Sequence, residues 1–339
     1  MAETAVTKIS LLAFPDFADT VERIHKVGDS LVEDLEQVKS LYHSEVVPPN
    51  TGTTRIYDEY DSETYAKLKI ESGDAEKAKA IKGWSKTMTM RRFAAEIDIS
   101  WEMRRTGKDQ QIISKLTNLA KFVPQRMALD LTHRFTFATS TSYTDMDGET
   151  IDVSMGSDTP TALVDSTQDL TGSTDTYSTV ITGTPSFSKG AFEIARERAN
   201  TQIVSNFGER RVVNFDAIVT GDDPATLDAV RTFLRSSTDP SQTNPGVENT
   251  YMGVARHIIL PRLATTAVGA YDSTKAKWWF YVSTQESHGY LGIWEQPNLK
   301  SPTSGNNGED IHNDDWTFST RGAYGICWVV ARGVLGSCA

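Results

Sequence analysis

Asp145-Met146-Asp147-Gly148 opens like a calcium-binding loop, with oxygen ligands at alternate positions and a glycine for the sharp turn. The glutamate that should close such a loop falls in the wrong place, so the stretch reads as a polar turn. Asp222-Asp223 could be a pair of carboxylates dividing acid and base roles. Pro224 and a helical pattern follow, which explains Asp223 fully as a helix N-cap. The histidines His25, His43, His133, His257, His288 and His312 show no ligand spacing. Cys327 and Cys338 cannot build a disulfide scaffold or a multi-cysteine zinc site, and they point to a reducing compartment. The chain carries no Walker-type phosphate loop, G-x-G-x-x-G, G-x-S-x-G, H-E-x-x-H or C-x-x-C. A Ser-His-Asp group could still meet in space. The sequence nominates no catalytic, cofactor-binding or metal residue, and no enzymatic role is expected.

The charged residues offer a different chemistry, that of complementary surfaces. The net charge of −11 argues against a module held to nucleic acid by phosphate contacts. That total hides blocks. Residues 1–65 hold 5 basic and 13 acidic residues, residues 66–138 hold 15 and 8, and residues 139–188 hold none and 8. The blocks can be solvated surface patches. They can also be an acidic arm and a basic arm that pair between copies of the chain, since complementary potentials set register and encounter rate. Arg91, Arg92, Arg104 and Arg105 are the basic candidates for such a contact.

These residues need elements to position them. The 339 residues, 38% hydrophobic and 23% charged, suit two ordinary domains or one elaborated one. Lys8 and the short patch Ile9 to Phe14 do not make an export signal. No stretch approaches the ~20 apolar residues that span a bilayer, and Arg332 breaks the longest apolar tract. A cytoplasmic product with no membrane contact is expected.

Phe17, Val21, Ile24, Leu31, Leu35, Val38 and Tyr42 recur at steps of four and three, with Gly28 in the one missing place. That stripe predicts a helix over 16–43, capped by Asp16, that packs on the core or docks on another subunit. A strand over 54–60, a charged tip over 66–83 and an alternating run from Arg92 to Met103 predict two long strands joined by a polar tip. Residues 108–138 predict one long helix kinked at Pro124. Residues 139–188, rich in Thr, Ser, Gly and Asp, predict hairpins or loops at a solvated edge. Residues 189–300 predict a compact α/β unit. Its helices start at Lys189 and Ala225, and its strands lie at Phe215–Thr220, His257–Leu260 and Trp278–Val282. Bulky Trp278-Trp279-Phe280-Tyr281 should be covered on both faces. Strands return over 314–335 in two runs.

This order resembles the major capsid protein of tailed bacteriophages, with the Hong Kong 97-type fold, an α+β (mixed α/β) architecture. The likeness covers most of the chain and looks closest to the Mu-like head subunit group. It is carried by FAAEIDISWEMRRTGKDQQIISKLTNLAKFVPQRMALDLTHRF, AIVTGDDPATLDAVRTFLRSS, NPGVENTYMGVARHIILPRL and DDWTFSTRGAYGICWVVARG, in that order. The resemblance implies an N-terminal arm over 1–50 and an extended loop (E-loop) over 51–104 that lies on a neighbouring subunit. It also implies a peripheral domain over 105–185 with a spine helix, an axial domain over 186–300 and return strands over 301–339.

The implied function is a head protein that self-assembles into hexamers and pentamers of an icosahedral shell in the host cytoplasm and ends in the virion. Its partners would be itself, portal, scaffolding and decoration proteins, and packaged dsDNA touched weakly and without sequence preference. With a helix as short as 16–43, no large propeptide is expected, which would imply a separate scaffolding protein. Intersubunit contacts are expected at Phe17, Val21, Ile24, Leu31, Leu35, Lys67, Lys69, Lys77, Arg91, Arg92, Arg104 and Arg105. Some family members crosslink a loop lysine to an asparagine; Lys67, Lys69, Lys77, Lys79 and Lys82, with Asn298, Asn306 and Asn307, carry those groups here. Gly73, Gly83 and Gly107 could let the loop tilt. The alternatives are an encapsulin-type compartment holding an enzyme cargo, a soluble α/β hydrolytic enzyme, and a tail-tube or decoration protein.

Overall fold

The structure is a computed structural model that describes residues 32–50, 52–69, 74–106, 109–181, 186–238, 248–300 and 315–338. Phe17, Val21, Ile24 and Leu31 lie outside the described residues, as do Asp16, Gly73, Gly107, Asn306 and Asn307.

The described chain begins with helix α1 (Glu33–Lys39), followed by strand β1 (His43–Val46). The predicted helix therefore stops earlier than expected, because residues from His43 pair in parallel with a later strand. Tyr42 falls between the two elements yet keeps its inward aim, its hydroxyl donating to the Leu131 carbonyl at 2.7 Å.

Strands β2 (Thr54–Ser62) and β3 (Ala80–Thr89) form an antiparallel hairpin registered from Thr54↔Thr89 to Ser62↔Ala80. Strand β4 (Arg91–Ile99) belongs to another sheet. The two-strand prediction thus chose the wrong second strand. Residues 80–89 close the hairpin, while the alternating run pairs with a C-terminal strand. The alternation also ends sooner. Ser100 caps the short helix α2 (Trp101–Arg105), its Oγ accepting from Met103 N, so Trp101 and Met103 leave the strand.

The long helix is α3 (Asp109–Thr136), 28 residues and ~42 Å, with Pro124 inside it. Hairpins β5 (Ser142–Thr144)–β6 (Thr150–Asp152) and β7 (Gln168–Asp169)–β8 (Thr176–Tyr177) follow. This stretch is more interior than its composition predicts. Val153, Met155, Leu163, Val164, Tyr177 and Ile181 are buried. Polar residues of the stretch enter the interior by hydrogen bonding to its backbone. Gln168 Nε2 donates to Ala162 O at 2.6 Å, and Thr179 Oγ1 donates to Leu163 O at 3.0 Å.

Then come α4 (Lys189–Thr201), β9 (Ala217–Thr220), α5 (Pro224–Arg235), β10 (Arg256–Ile259), β11 (Trp279–Val282), β12 (Gly289–Lys300), β13 (Trp316–Trp328) and β14 (Val334–Ser337). The two predicted return runs are one 13-residue strand, β13, plus β14. One four-stranded sheet runs β1-β12-β13-β4 and the other β10-β9-β11-β14. Strand β12, unanticipated, joins the first sheet beside β13 rather than the sheet of the α/β unit.

Strand β11 is buried on both faces, as its bulky residues predict. Trp279 and Tyr281 face a core with Phe192, Phe233 and Ile218, beneath α4 and α5. Phe280 and Val282 face the opposite core, shared with Leu35, Met127, Leu131 and Phe135 from α1 and α3. Period-two side chains thus divide one strand between two apolar layers. A third core joins β4 and β13 to α3 through Ile99, Phe318, Ile112, Leu116 and Leu119.

Candidate assembly surface

The residues that could do chemistry turn out to be structural. Asp145-Met146-Asp147-Gly148 is the turn of β5–β6, with Gly148 at φ 79°. Its carboxylates face Arg126, which pairs with Asp145, with Asp147 at 3.2 Å and with Asp130 at 3.0 Å. Asp223 caps α5, its carboxylate accepting from Thr226 N at 3.0 Å and Thr226 Oγ1 at 2.7 Å. Burial, with Arg126 nearby, lowers the pKa of His133 to about 4; burial, with Arg231 nearby, does the same to His257. Burial pushes the Cys327 thiol up to about 12, which removes its nucleophilic thiolate near neutrality. Among the described residues, no group of three or more His, Cys, Asp or Glu could hold a metal ion. No described helix is long and apolar enough to cross a membrane.

The hairpin β2–β3 is the feature that chemistry and shape set apart. Its strands lie on the chain's own body. Glu59 and Arg332 form a fully buried ion pair. The other arm of Arg332 donates to Asn206 Oδ1 at 2.6 Å, while Asn206 N donates to Asp61 at 2.8 Å. Trp84 Nε1 reaches Asp169 O at 3.1 Å, and Lys86 bonds Asp152 at 2.6 Å. Tyr57 stacks on Tyr290 with ring centroids 4.4 Å apart and donates to Glu45; burial and that carboxylate raise its pKa. Gly325 of β13 leaves room for the hairpin's exit, because a Cβ there would lie 2.8 Å from Met88 Cγ.

The extended loop implied by the resemblance is therefore anchored in cis along both strands. Gly83 is no hinge. It sits inside β3, and a Cβ there would collide with the Glu59 carboxylate. Arg332, noticed in the sequence only as a break in an apolar tract, is the clamp; a charge amid apolar residues was the signal for it.

The expected contact residues separate into groups. Leu35 is 0% exposed in the chain's own core and is not a surface residue. Lys67, Lys69 and Lys77 are exposed at the hairpin tip, where Lys67 bridges to Glu76 at 2.7 Å. Arg91 pairs with Glu149 at 3.2 Å and Arg92 with Glu295 at 3.8 Å. Arg105 lies over the Trp101 ring at 4.8 Å, and Arg104 is carried on α2 beside it.

Much of the basic block is thus satisfied within the chain. Lys86, Arg91 and Arg126 bind the acidic 139–188 block of the same molecule. What the sequence reading missed are exposed large apolar residues of the hairpin: Ile56 65%, Tyr60 75%, Tyr65 65% and Leu68 96% exposed. They do not stand out in the sequence because they are scattered, Ile56 and Tyr60 within β2 and Tyr65 and Leu68 beyond its end.

No family model matches the sequence, and no curated protein matches it. Solved structures do match. The chain is similar to the capsid of Ralstonia phage GP4 at 10% identity, covering 88% of this chain and 86% of that one with a TM-score of 0.51. It is similar to the capsid of the Cyanophage P-SCSP1u at 8% identity, with 88% and 86% covered and a TM-score of 0.50. The chain has the fold of these phage capsid subunits, the α+β Hong Kong 97-type capsid fold.

Proposed function

We propose that this protein is a major capsid protein that closes into an icosahedral shell of hexamers and pentamers around double-stranded DNA. One observation carries the reading: in a capsid fold, the hairpin holds Ile56, Tyr60 and Leu68 out to solvent on a rigidly anchored base. Large apolar side chains held out to solvent on one hairpin are the surface through which copies would meet. Repeated contacts of moderate size suffice for a shell, because each subunit is held by several neighbours at once.

In this reading the activity is assembly, with no catalytic step, and the protein ends in the virion after assembling in the host cytoplasm. Residues 1–50 are the arm, 51–104 the loop, 105–185 the peripheral domain, 186–300 most of the axial domain and 301–339 the return strands. The basic tip residues Lys67, Lys69 and Lys77, with Arg92 and Arg105, meet acidic surface on other copies. Portal, scaffolding and decoration proteins are further partners. The net charge of −11 suits a lumen that grips DNA weakly and without sequence preference.

The test is the combined substitution Ile56→Ser, Tyr60→Ser and Leu68→Ser. Shells seen by electron microscopy should be lost while the melting temperature stays near that of the parent. An unchanged particle yield would contradict the proposal.

A further inference from the structure

Half of the acidic block over 139–188 is neutralised within the chain. Asp145, Asp147, Glu149 and Asp152 pair with Arg126, Arg91 and Lys86. Asp165, Asp169 and Asp175 form no ion pair among the described residues. Arg231 and Arg235, both exposed on α5, form none either. These unpaired charges of opposite sign lie at the two ends of one sheet.

At one end, β10 is the edge strand of β10-β9-β11-β14. Helix α5 crosses from β9 to the parallel β10. Arg231 and Arg235, one turn apart, stand near enough to His257 of β10 for their charges to act on it. Thr220 Oγ1 lies 2.8 Å from the His257 Nε2. Asp228 of the same helix lies instead beside Ser188 and Lys189, at the start of α4. Exposed Arg256 opens β10, 3.6 Å from Asp216.

At the other end, Val180 bridges in parallel to Gly336 of β14. Residues 179–181 thus lie four strand spacings from β10, ~19 Å. Asp165 belongs to this end, because Thr179 N donates to its carbonyl at 2.9 Å and its N donates to Thr179 Oγ1 at 2.9 Å. The chain between Asp165 and Thr179 is the hairpin β7–β8, which carries Asp169 and leads through exposed Asp175. Asp165 Oδ1 accepts from Thr167 N at 3.0 Å, and Asp175 Oδ2 accepts from Ser173 Oγ at 3.0 Å. Such bonds orient a carboxylate without cancelling its charge. Arg198 and Arg332, which reach this end, are engaged elsewhere. Arg198 donates to Val180 O at 2.9 Å, and Arg332 holds Glu59 and Asn206.

We propose that these two ends meet between neighbouring copies, with Arg231 and Arg235 of one subunit facing Asp165, Asp169 and Asp175 of the next. The inference rests on the capsid reading and names a contact by which its rings close. The two patches differ and lie apart on one sheet, so the contact is head-to-tail, and head-to-tail contacts make rings when the rotation closes. A phosphate backbone would suit the arginines but leave the carboxylate end unexplained; a second copy supplies both. Complementary charge here sets register and hastens encounter, while the exposed apolar residues of β2–β3 hold the subunits together.

The experiment follows assembly of the full-length chain by light scattering at low ionic strength. Arg231→Glu with Arg235→Glu should slow assembly by about tenfold or more, at a melting temperature near the parent's. Asp169→Lys with Asp175→Lys should slow it as well. All four changes in one chain set glutamate against lysine again and should restore the parent's rate. A control offsets the two arginine changes with Glu96→Lys and Glu102→Lys, exposed on β4 and α2. It matches the four-change chain in net charge and should stay slow. Parent-like rates for either pair alone, or rescue by the control lysines, would overturn the inference. So would parent-like assembly of the arginine pair with weaker binding of a double-stranded DNA fragment, which would give those arginines to the genome. A parent that forms no shells would be a failure of the capsid reading itself; shells forming alike from the parent and the arginine pair would be a failure of this inference alone.

Discussion

Glu59 and Arg332 meet where water does not reach, and each is tolerable only because of the other. Arg332→Met should therefore cost about 3–5 kcal/mol, because it leaves a buried carboxylate uncompensated. Adding Glu59→Leu should recover most of that loss, as read by denaturant unfolding; a double variant no better than the single would refute the pairing. His133 makes a pH argument. Burial holds its folded pKa at about 4, below the ordinary 6.5, so the unfolded chain takes up the proton first on acidification. Stability from this group is complete above pH 6.5 and drains away as the pH falls towards 4. His257 adds in the same direction. His133→Gln should flatten the fall in melting temperature between about pH 7 and about pH 5. An unaltered slope would remove His133 from the account of acid sensitivity.

At the scale of elements, periodicity and capping were legible, and pairing was not. The stripe of α3 and the Asp223-Pro224 start of α5 could be read directly, since each is a local pattern with a local cause. Asp223→Ala should lower stability by ~1 kcal/mol, measured by thermal unfolding; a loss within error would mean the cap contributes nothing. The hairpin partner was misassigned because β3 and β4 are adjacent and both alternate, and only contacts far along the chain separate them. Strand β12 escaped notice because Pro297 and two register shifts interrupt its alternation. Residues 139–188 looked like surface because Thr, Gln and Ser are polar. They become interior through hydrogen bonds to backbone carbonyls, which no composition reveals. The proposed contact surface was half visible: lysines at the tip could be placed, whereas the exposure of Ile56, Tyr60 and Leu68 is seen only in the folded chain.

For the whole molecule, the charge blocks mean something different once folded. Lys86, Arg91 and Arg126 tie the basic stretch to the acidic stretch that follows it, so much of the opposite charge is consumed inside one subunit. In the proposed shell, contacts between subunits would then rest more on the exposed apolar residues of the hairpin than on exposed ion pairs, which contribute little each and are screened by salt. Particle yield should accordingly vary little between low and physiological salt; a steep fall would restore charge as the main intersubunit force.

Self-closure is tested most directly by sedimentation velocity of the unmodified full-length protein, with electron microscopy of the same sample. A capsid subunit built this way should give fast-sedimenting, closed particles of uniform size. A single slow monomer at every concentration and salt, with empty grids, would contradict it.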